Sequence, residues 1–216
     1  MKEITKFITL CKYSFKYKTN LVFLIIFFSI GVINELVTKG TQYLGGFYIV
    51  ICSIYMFQFV MSLSMSDMIQ ASPIGRRIQL DMPVKLNVIM SFVFYTLLVV
   101  YRIIMSVMYP QNERDIIASL FLINIMFFAL FIYTAFVYKY FIASIIVFCF
   151  TIPLVVTGMN IINSFNILAD LTLINVIIFG YVVIVVGALI QYMICRLIIK
   201  KPISQRAFRG IFKEAK

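Results

Sequence analysis

The chain has 216 residues, 63% hydrophobic and 12% charged, with a formal net charge of +11 and no histidine. Globular domains carry about a quarter charged residues, so a mean hydropathy of +1.04 puts this chain among membrane proteins with little soluble mass. The missing histidine excludes Ser/His hydrolases, His-based intramembrane proteases and most zinc sites, and no Gly-x4-Gly-Lys-Ser/Thr phosphate loop is present.

Residues 1–19 are an interfacial segment. At about 100° per residue, Ile4, Phe7, Ile8, Cys11 and Phe15 gather on one side of a helix over 2–16, and Lys2, Lys6, Lys12 and Lys16 on the other. That division suits a helix lying along the cytoplasmic leaflet. Its basic stretch is long for a signal peptide, and no small-x-small cleavage pattern follows. The first span is expected over 20–37, with Lys18 and Glu35 snorkelling at its ends. An outer turn containing Lys39, Gly40, Gly45 and Gly46 leads to a second span, from residue 47 or slightly earlier to 65.

Segment 66–85 then lies inside. Ser72 and Pro73 make an N-cap and first-turn pair and Pro83 a stop, which predicts a helix of about two turns outside the membrane. Ile74 and Ile78 share one of its faces while Arg76 and Arg77 point elsewhere. Such a segment is either a lipid-contacting loop with ordinary cytoplasmic charges or a rigid peg that docks into a partner's groove. Spans three to six are expected over 86–109, 116–138, 141–158 and 171–195, followed by a basic tail over 196–216. Only Tyr138, Lys139 and Tyr140 separate spans four and five, so these form a tight hairpin at the inner surface.

Sixteen of the nineteen basic residues fall on one side of this arrangement; only Lys39, Arg102 and Arg114 lie on or toward the other. Loops rich in Lys and Arg stay in the cytoplasm, so an even number of spans with both termini cytoplasmic fits. The reading is an all-α membrane protein of one domain, 1–216, with six transmembrane helices in the cell membrane. Basic residues hug the ends of apolar runs and form no domain of their own, which points to anionic lipid headgroups and away from nucleic acid. Cys11, Cys52, Cys149 and Cys195 have no paired spacing and imply neither a disulfide framework nor a metal site.

Few side chains offer chemistry. Asp67, Asp81, Glu113, Asp115 and Asp170 fall in loops or at span ends, which argues against proton or sodium coupling through a carboxylate at membrane depth. Arg102 is the one charge inside an apolar run, seven residues before Tyr109, or about 10 Å at 1.5 Å per residue. It either snorkels to the outer headgroups or faces a central cavity, where it would attract an anionic or carbonyl-rich substrate. Gln58, Asn124, Asn175 and Gln191 are the other polar candidates in spans, as interhelical hydrogen-bond formers or as cavity-lining groups.

The layout, with Gln70-Ala71-Ser72-Pro73-Ile74-Gly75-Arg76-Arg77 followed by Pro83, resembles the permease subunit of an ABC-2 type (type V) ABC exporter of the small bacterial kind. The resemblance implies a coupling helix in which Ser72, Pro73, Ile74, Arg76, Arg77 and Ile78 contact an ABC ATPase subunit present in two copies. It also implies a second, smaller inner contact through Lys139, Tyr138 and Tyr140, and a second permease chain, identical or related, to complete the pathway. ATP and Mg would be bound by the ATPase and no cofactor by this chain, which would not itself be an enzyme. The cargo it implies is amphipathic, with an antimicrobial or cytolytic peptide such as a phenol-soluble modulin or lantibiotic as the guess. Larger members carry re-entrant helices between spans five and six, where only residues 159–170 are available here, so any outer gate is small. Two other functions fit six spans: the substrate-binding subunit of an energy-coupling-factor importer, and a non-transporting membrane sensor or scaffold.

Overall fold

The computed structural model describes residues 17–63, 75, 77–164 and 171–200. The interfacial helix over 2–16, most of the segment over 66–76 and the tail beyond residue 200 lie outside them. Among the described residues six α-helices follow one another: α1 Tyr17–Thr38, α2 Tyr43–Leu63, α3 Met82–Met108, α4 Glu113–Val137, α5 Phe141–Ser164 and α6 Leu173–Leu197. Each coincides with an apolar run, as it must where no water is available to satisfy backbone N–H and C=O groups. Five of them are long and apolar enough to cross a membrane: α1, α3, α4, α5 and α6. The sixth, α2, is also apolar, and is 21 residues long.

Successive helices run in opposite directions, so the bundle has two ends. The Gly40 end holds the α1–α2 turn and the 3-10 turn Pro110–Asn112 between α3 and α4; the Lys139 end holds the α4–α5 turn. Helix α1 begins and α6 finishes at the Lys139 end, where Lys18, Arg77, Lys85, Arg196 and Lys200 are exposed. Among the described residues, exposed cations are thus more numerous at the Lys139 end than at the Gly40 end, where Lys39 and Arg114 are exposed.

Packing is not sequential. Helices α2, α3, α6 and α4 form a ring in which each touches the next, while α3 and α4, joined by a tight turn, face each other across the diagonal with little contact. Helix α1 packs chiefly on α2, and α5 on α4. The two outliers are the least buried helices and α4 the most. Tyr95, Leu98, Ile123, Phe127 and Phe131, each at most 2% exposed, belong to the core cluster of this ring. Gly180 is required for that filling, since a Cβ there would overlap the Tyr95 hydroxyl. The outward faces carry Val107, Phe150, Leu154 and Leu197, all more than two-thirds exposed and apolar, as a lipid-facing surface demands.

The entry to α3 differs from expectation. Pro83 does not stop a helix. It sits in the first turn of α3, where its missing N–H has no intrahelical partner to lose, and a π-helical turn, Arg77–Asp81, leads into α3. Asp81 joins the two with helical angles of φ −74° and ψ −44°. The π turn packs against α2 and α6 and buries Leu80.

Candidate functional site

Glu35, expected to snorkel, and Arg102, expected either to snorkel or to face a central cavity, are instead turned toward one another. Arg102 is 0% and Glu35 2% exposed, and Arg102 Nη2 lies 2.9 Å from Glu35 Oε1. Arg102 leaves α3 six residues before its last residue, too deep for its charge to be cheap in lipid, and Glu35 sits in the last turn of α1 at the same end. A buried charge must be paired and hydrogen-bonded, and each supplies the other's need. The guanidinium also donates to the Gln42 carbonyl at 2.9 Å, the Ile116 carbonyl at 3.3 Å and the Ser119 hydroxyl. The Ser119 hydroxyl in turn donates to the Gly40 or the Ile116 carbonyl, both at 3.1 Å, and the Tyr101 hydroxyl donates to the Glu35 carbonyl at 2.8 Å.

The turn between α1 and α2 is shaped to this cluster. Gly40 adopts φ +75°, which L side chains rarely tolerate, and Lys39 before it lies at φ 54° with its ammonium 4.1 Å from the centre of the Tyr109 ring. A Cβ on Gly45 would come within 2.8 Å of the Glu35 backbone nitrogen, so only glycine lets α2 start this close to α1. Four segments of chain therefore meet on a single guanidinium: the end of α1, the turn, α3 and the start of α4. Glu35 Oε2 and Arg102 Nε have no partner among the described residues. A side cavity of about 160 Å³ between α1, α2 and α3 is lined by Glu35, Tyr101, Phe28, Val32 and Ile49 among others.

A second polar cluster sits toward the Lys139 end and is neutral. Asn87 Nδ2 of α3 donates to Gln191 Oε1 of α6 at 3.2 Å, and Gln191 Nε2 donates to Thr134 Oγ1 of α4 at 2.8 Å. The Thr134 hydroxyl donates to the Leu130 or Phe131 carbonyl one turn back, both at 2.9 Å. Between the two clusters Asn124 Nδ2 donates to the Val176 carbonyl at 2.9 Å, tying α4 to α6. Asn87, Ser91, Tyr95, Leu98 and Arg102 thus make one buried face of α3, spaced three to four residues apart as a helix requires.

The clusters differ in strength. Removing one partner of a buried ion pair costs about 3–5 kcal/mol, because the other charge is left uncompensated. An interhelical hydrogen bond between neutral side chains in a membrane contributes about 0.6 kcal/mol on average and about 1.7 at most. Losing one partner is therefore the costlier event at the Gly40 end.

The candidates from the sequence are dispersed. Asn124 and Gln191 are the buried interhelical hydrogen-bond formers their type suggests. Asn175 is exposed in the first turn of α6, where its backbone N–H binds the capping Thr172 hydroxyl, so it lines no interior; Gln58 is half-buried on α2. Arg102 faces neither headgroups nor a cavity, because Glu35 and three oxygen atoms enclose it. Ser72, Pro73, Ile74 and Arg76 lie outside the described residues. Arg77 opens the π turn with its side chain exposed, and Ile78 follows within that turn.

The Tyr138, Lys139 and Tyr140 group is divided. Tyr138 is 4% exposed and packs its ring 5.3 Å from that of Phe57, so it is core and not contact surface. Lys139 is half-buried and donates to the Ile199 carbonyl at 3.4 Å; burial draws its ammonium below the usual lysine range. Tyr140 alone is open, at 43% exposure. It edges an apolar groove of about 500 Å³ between α4 and α5 that also holds Tyr133, Phe136, Ser144 and Phe148. Among the described residues no three His, Cys, Asp or Glu side chains converge as metal ligands would.

Sequence reasoning missed the ion pair. The available signal was an acid and a base at similar depth from the same end in two apolar runs, which lipid forces to seek each other. No family model, curated protein or solved structure matches this chain.

Proposed function

We propose that this chain is the permease subunit of an ATP-driven exporter of the ABC-2 type, crossing the cell membrane six times with the Lys139 end and both termini in the cytoplasm. The observation that carries the reading is the continuity between segment 66–85 and the bundle. The π turn Arg77–Asp81 runs into α3, and α3 is tied to α1, the α1–α2 turn and α4 through Arg102 and to α6 through Asn87. A push or pull on the 72–82 segment by an ATPase subunit would then reach most of the bundle through one helix. The exposed cations at the Lys139 end favour the cytoplasmic assignment.

The pathway in this reading runs between two permease chains. With Tyr95, Phe127 and Phe131 packed inside the ring, a single copy leaves no passage through itself. The cargo is amphipathic, a peptide in the first instance, because the spans present aromatic and aliphatic surface and enclose the Arg102–Glu35 ion pair. ATP and Mg belong to the two ATPase copies, and Tyr140 is the side chain left open for the smaller inner contact. The same filled interior also suits a non-transporting sensor or scaffold, and it disfavours the importer subunit, which needs a substrate cavity.

Affinity purification of the tagged chain from its native membrane in mild detergent separates these readings. The exporter reading predicts a stoichiometric ATPase partner that hydrolyses ATP and is lost with Ile74→Asp or Ile78→Asp, while membrane insertion is kept. Recovery of the bare chain without nucleotide hydrolysis in several detergents would transfer the reading to the sensor or scaffold.

A further inference from the structure

We infer that the groove between α4 and α5 holds one acyl chain of an anionic phospholipid, whose headgroup rests against the cations at the Lys139 end. The sequence builds the groove by spacing. Ala129, Ile132, Tyr133 and Phe136 recur every three to four residues and so share one face of α4. Tyr140, then Ala143, Ser144, Val147 and Thr151 of α5, follow the same spacing and face them. Small side chains at 129, 143 and 144 stand among the rings of Tyr133, Phe136, Tyr140 and Phe148, and that difference in size leaves the hollow of about 500 Å³. Helix α5 packs chiefly on α4, and Val147 on the rim is exposed, so the groove opens toward lipid.

Length, width and charge select the occupant. From Tyr140 to Thr151 is eleven residues, about 16 Å at 1.5 Å per residue, which matches one leaflet of a hydrocarbon core about 30 Å thick. A volume of about 500 Å³ over that length is a mean cross-section of about 30 Å², well under the roughly 80 Å² of a helix 10 Å across, so a partner's transmembrane helix does not enter. The wall is carbon apart from hydroxyls, and Ser144 and Thr151 donate theirs to the Tyr140 and Val147 carbonyls, each at 2.8 Å. An extended peptide would leave its N–H and C=O groups unpaired there. Charge lies at one end of the groove. The Lys139 ammonium donates to the Ile199 carbonyl at 3.4 Å, which sets the end of α6 beside the α4–α5 turn, with Arg196 and Lys200 exposed. A phosphate at that end meets these cations while its chain runs past Ser144 and Phe148.

The chain has no tryptophan, so a single introduced indole is an unambiguous reporter. Phe148→Trp places one in the groove, and Phe150→Trp places one two residues on, at nearly the same depth but on the exposed face of α5. Each full-length variant is reconstituted in vesicles of phosphatidylglycerol or phosphatidylcholine with brominated acyl chains, and quenching of the indole gives the relative affinity of the two lipids. The expected result is a preference of about fivefold for phosphatidylglycerol at Phe148→Trp, as one cation at the headgroup supplies, and little preference at Phe150→Trp. Arg196→Gln with Lys200→Gln removes the preference. Ala143→Phe, which fills the hollow, lowers quenching at Phe148→Trp below that at Phe150→Trp. Should Ala143→Phe fail to insert, Val147→Phe at the exposed rim fills the same space. Absence of quenching at Phe148→Trp by either lipid, as when a second copy of the chain covers the groove, would overturn the inference. So would equal preference at the two positions, or a preference indifferent to Arg196 and Lys200. Since no ATPase takes part, this result and the purification above succeed or fail separately.

Discussion

The two buried polar clusters solve the same problem with unequal means. At the Gly40 end a full charge on α3 meets a full charge on α1, with two backbone carbonyls and a hydroxyl also accepting from the guanidinium. At the Lys139 end an amide, a second amide and a hydroxyl make a neutral relay among α3, α6 and α4. Both give partners that lipid would not to most of their polar atoms, though Glu35 Oε2, Arg102 Nε and Asn87 Oδ1 have none among the described residues. Only the first leaves a stranded ion when a partner is removed, so the same number of atoms deleted has very different consequences at the two ends.

That contrast can be broken first at its strong side. Arg102→Ala strands Glu35 and is expected to cost about 3–5 kcal/mol, read as unfolding free energy by steric trapping or denaturant titration in micelles. A loss below about 1 kcal/mol would mean that water or headgroups reach the carboxylate. On α6, opposite the middle of α3, Gly180→Ala forces a Cβ onto the Tyr95 hydroxyl and is expected to cost about 1–3 kcal/mol, as overpacking does. Repeating it in Tyr95→Phe removes the clashing oxygen and is expected to reduce that cost. The relay sharpens the contrast from its weak side: Gln191→Leu is expected to lose about 0.6–1.7 kcal/mol in the same assay. Asn175→Ala, on an exposed helix start, is expected to stay within about 0.5 kcal/mol of the parent.

Most of the helical frame is legible in the sequence because lipid allows few alternatives. An apolar run of bilayer length becomes a helix, and the observed helices overlap all six expected runs with ends displaced by a few residues. What the runs do not reveal is which helix lies beside which. Pairing α4 with α6, and setting α3 and α4 across a diagonal, follows from side-chain fit such as Gly180 against Tyr95, and hydropathy carries no trace of that. The same blindness hid the site. Glu35 and Arg102 are 67 residues apart and each, taken alone, has a cheap route to the surface. Together they have a cheaper one inward, and only the fold brings them together.

Pro83 illustrates a second limit. Proline excludes a helix interior but favours a first turn, so one residue reads as a stop or as a start depending on the chain before it. Tyr138 illustrates a third. A tyrosine beside a turn reads as surface, yet its ring is the lid on Phe57 at the Lys139 end. The Asn124 and Gln191 assignments fared better because an amide in an apolar run has little else to do than bond to a neighbouring helix.

The most direct test of the account is a double-mutant cycle on the ion pair, with Glu35→Leu, Arg102→Met and their combination compared in unfolding free energy. If the two charges form one interaction that closes the Gly40 end, each single change is strongly destabilising and the combination recovers most of the loss, giving a coupling of about 2 kcal/mol or more. Additive losses, with the combination as damaged as the sum of its parts, would show that the charges act independently and would contradict the account.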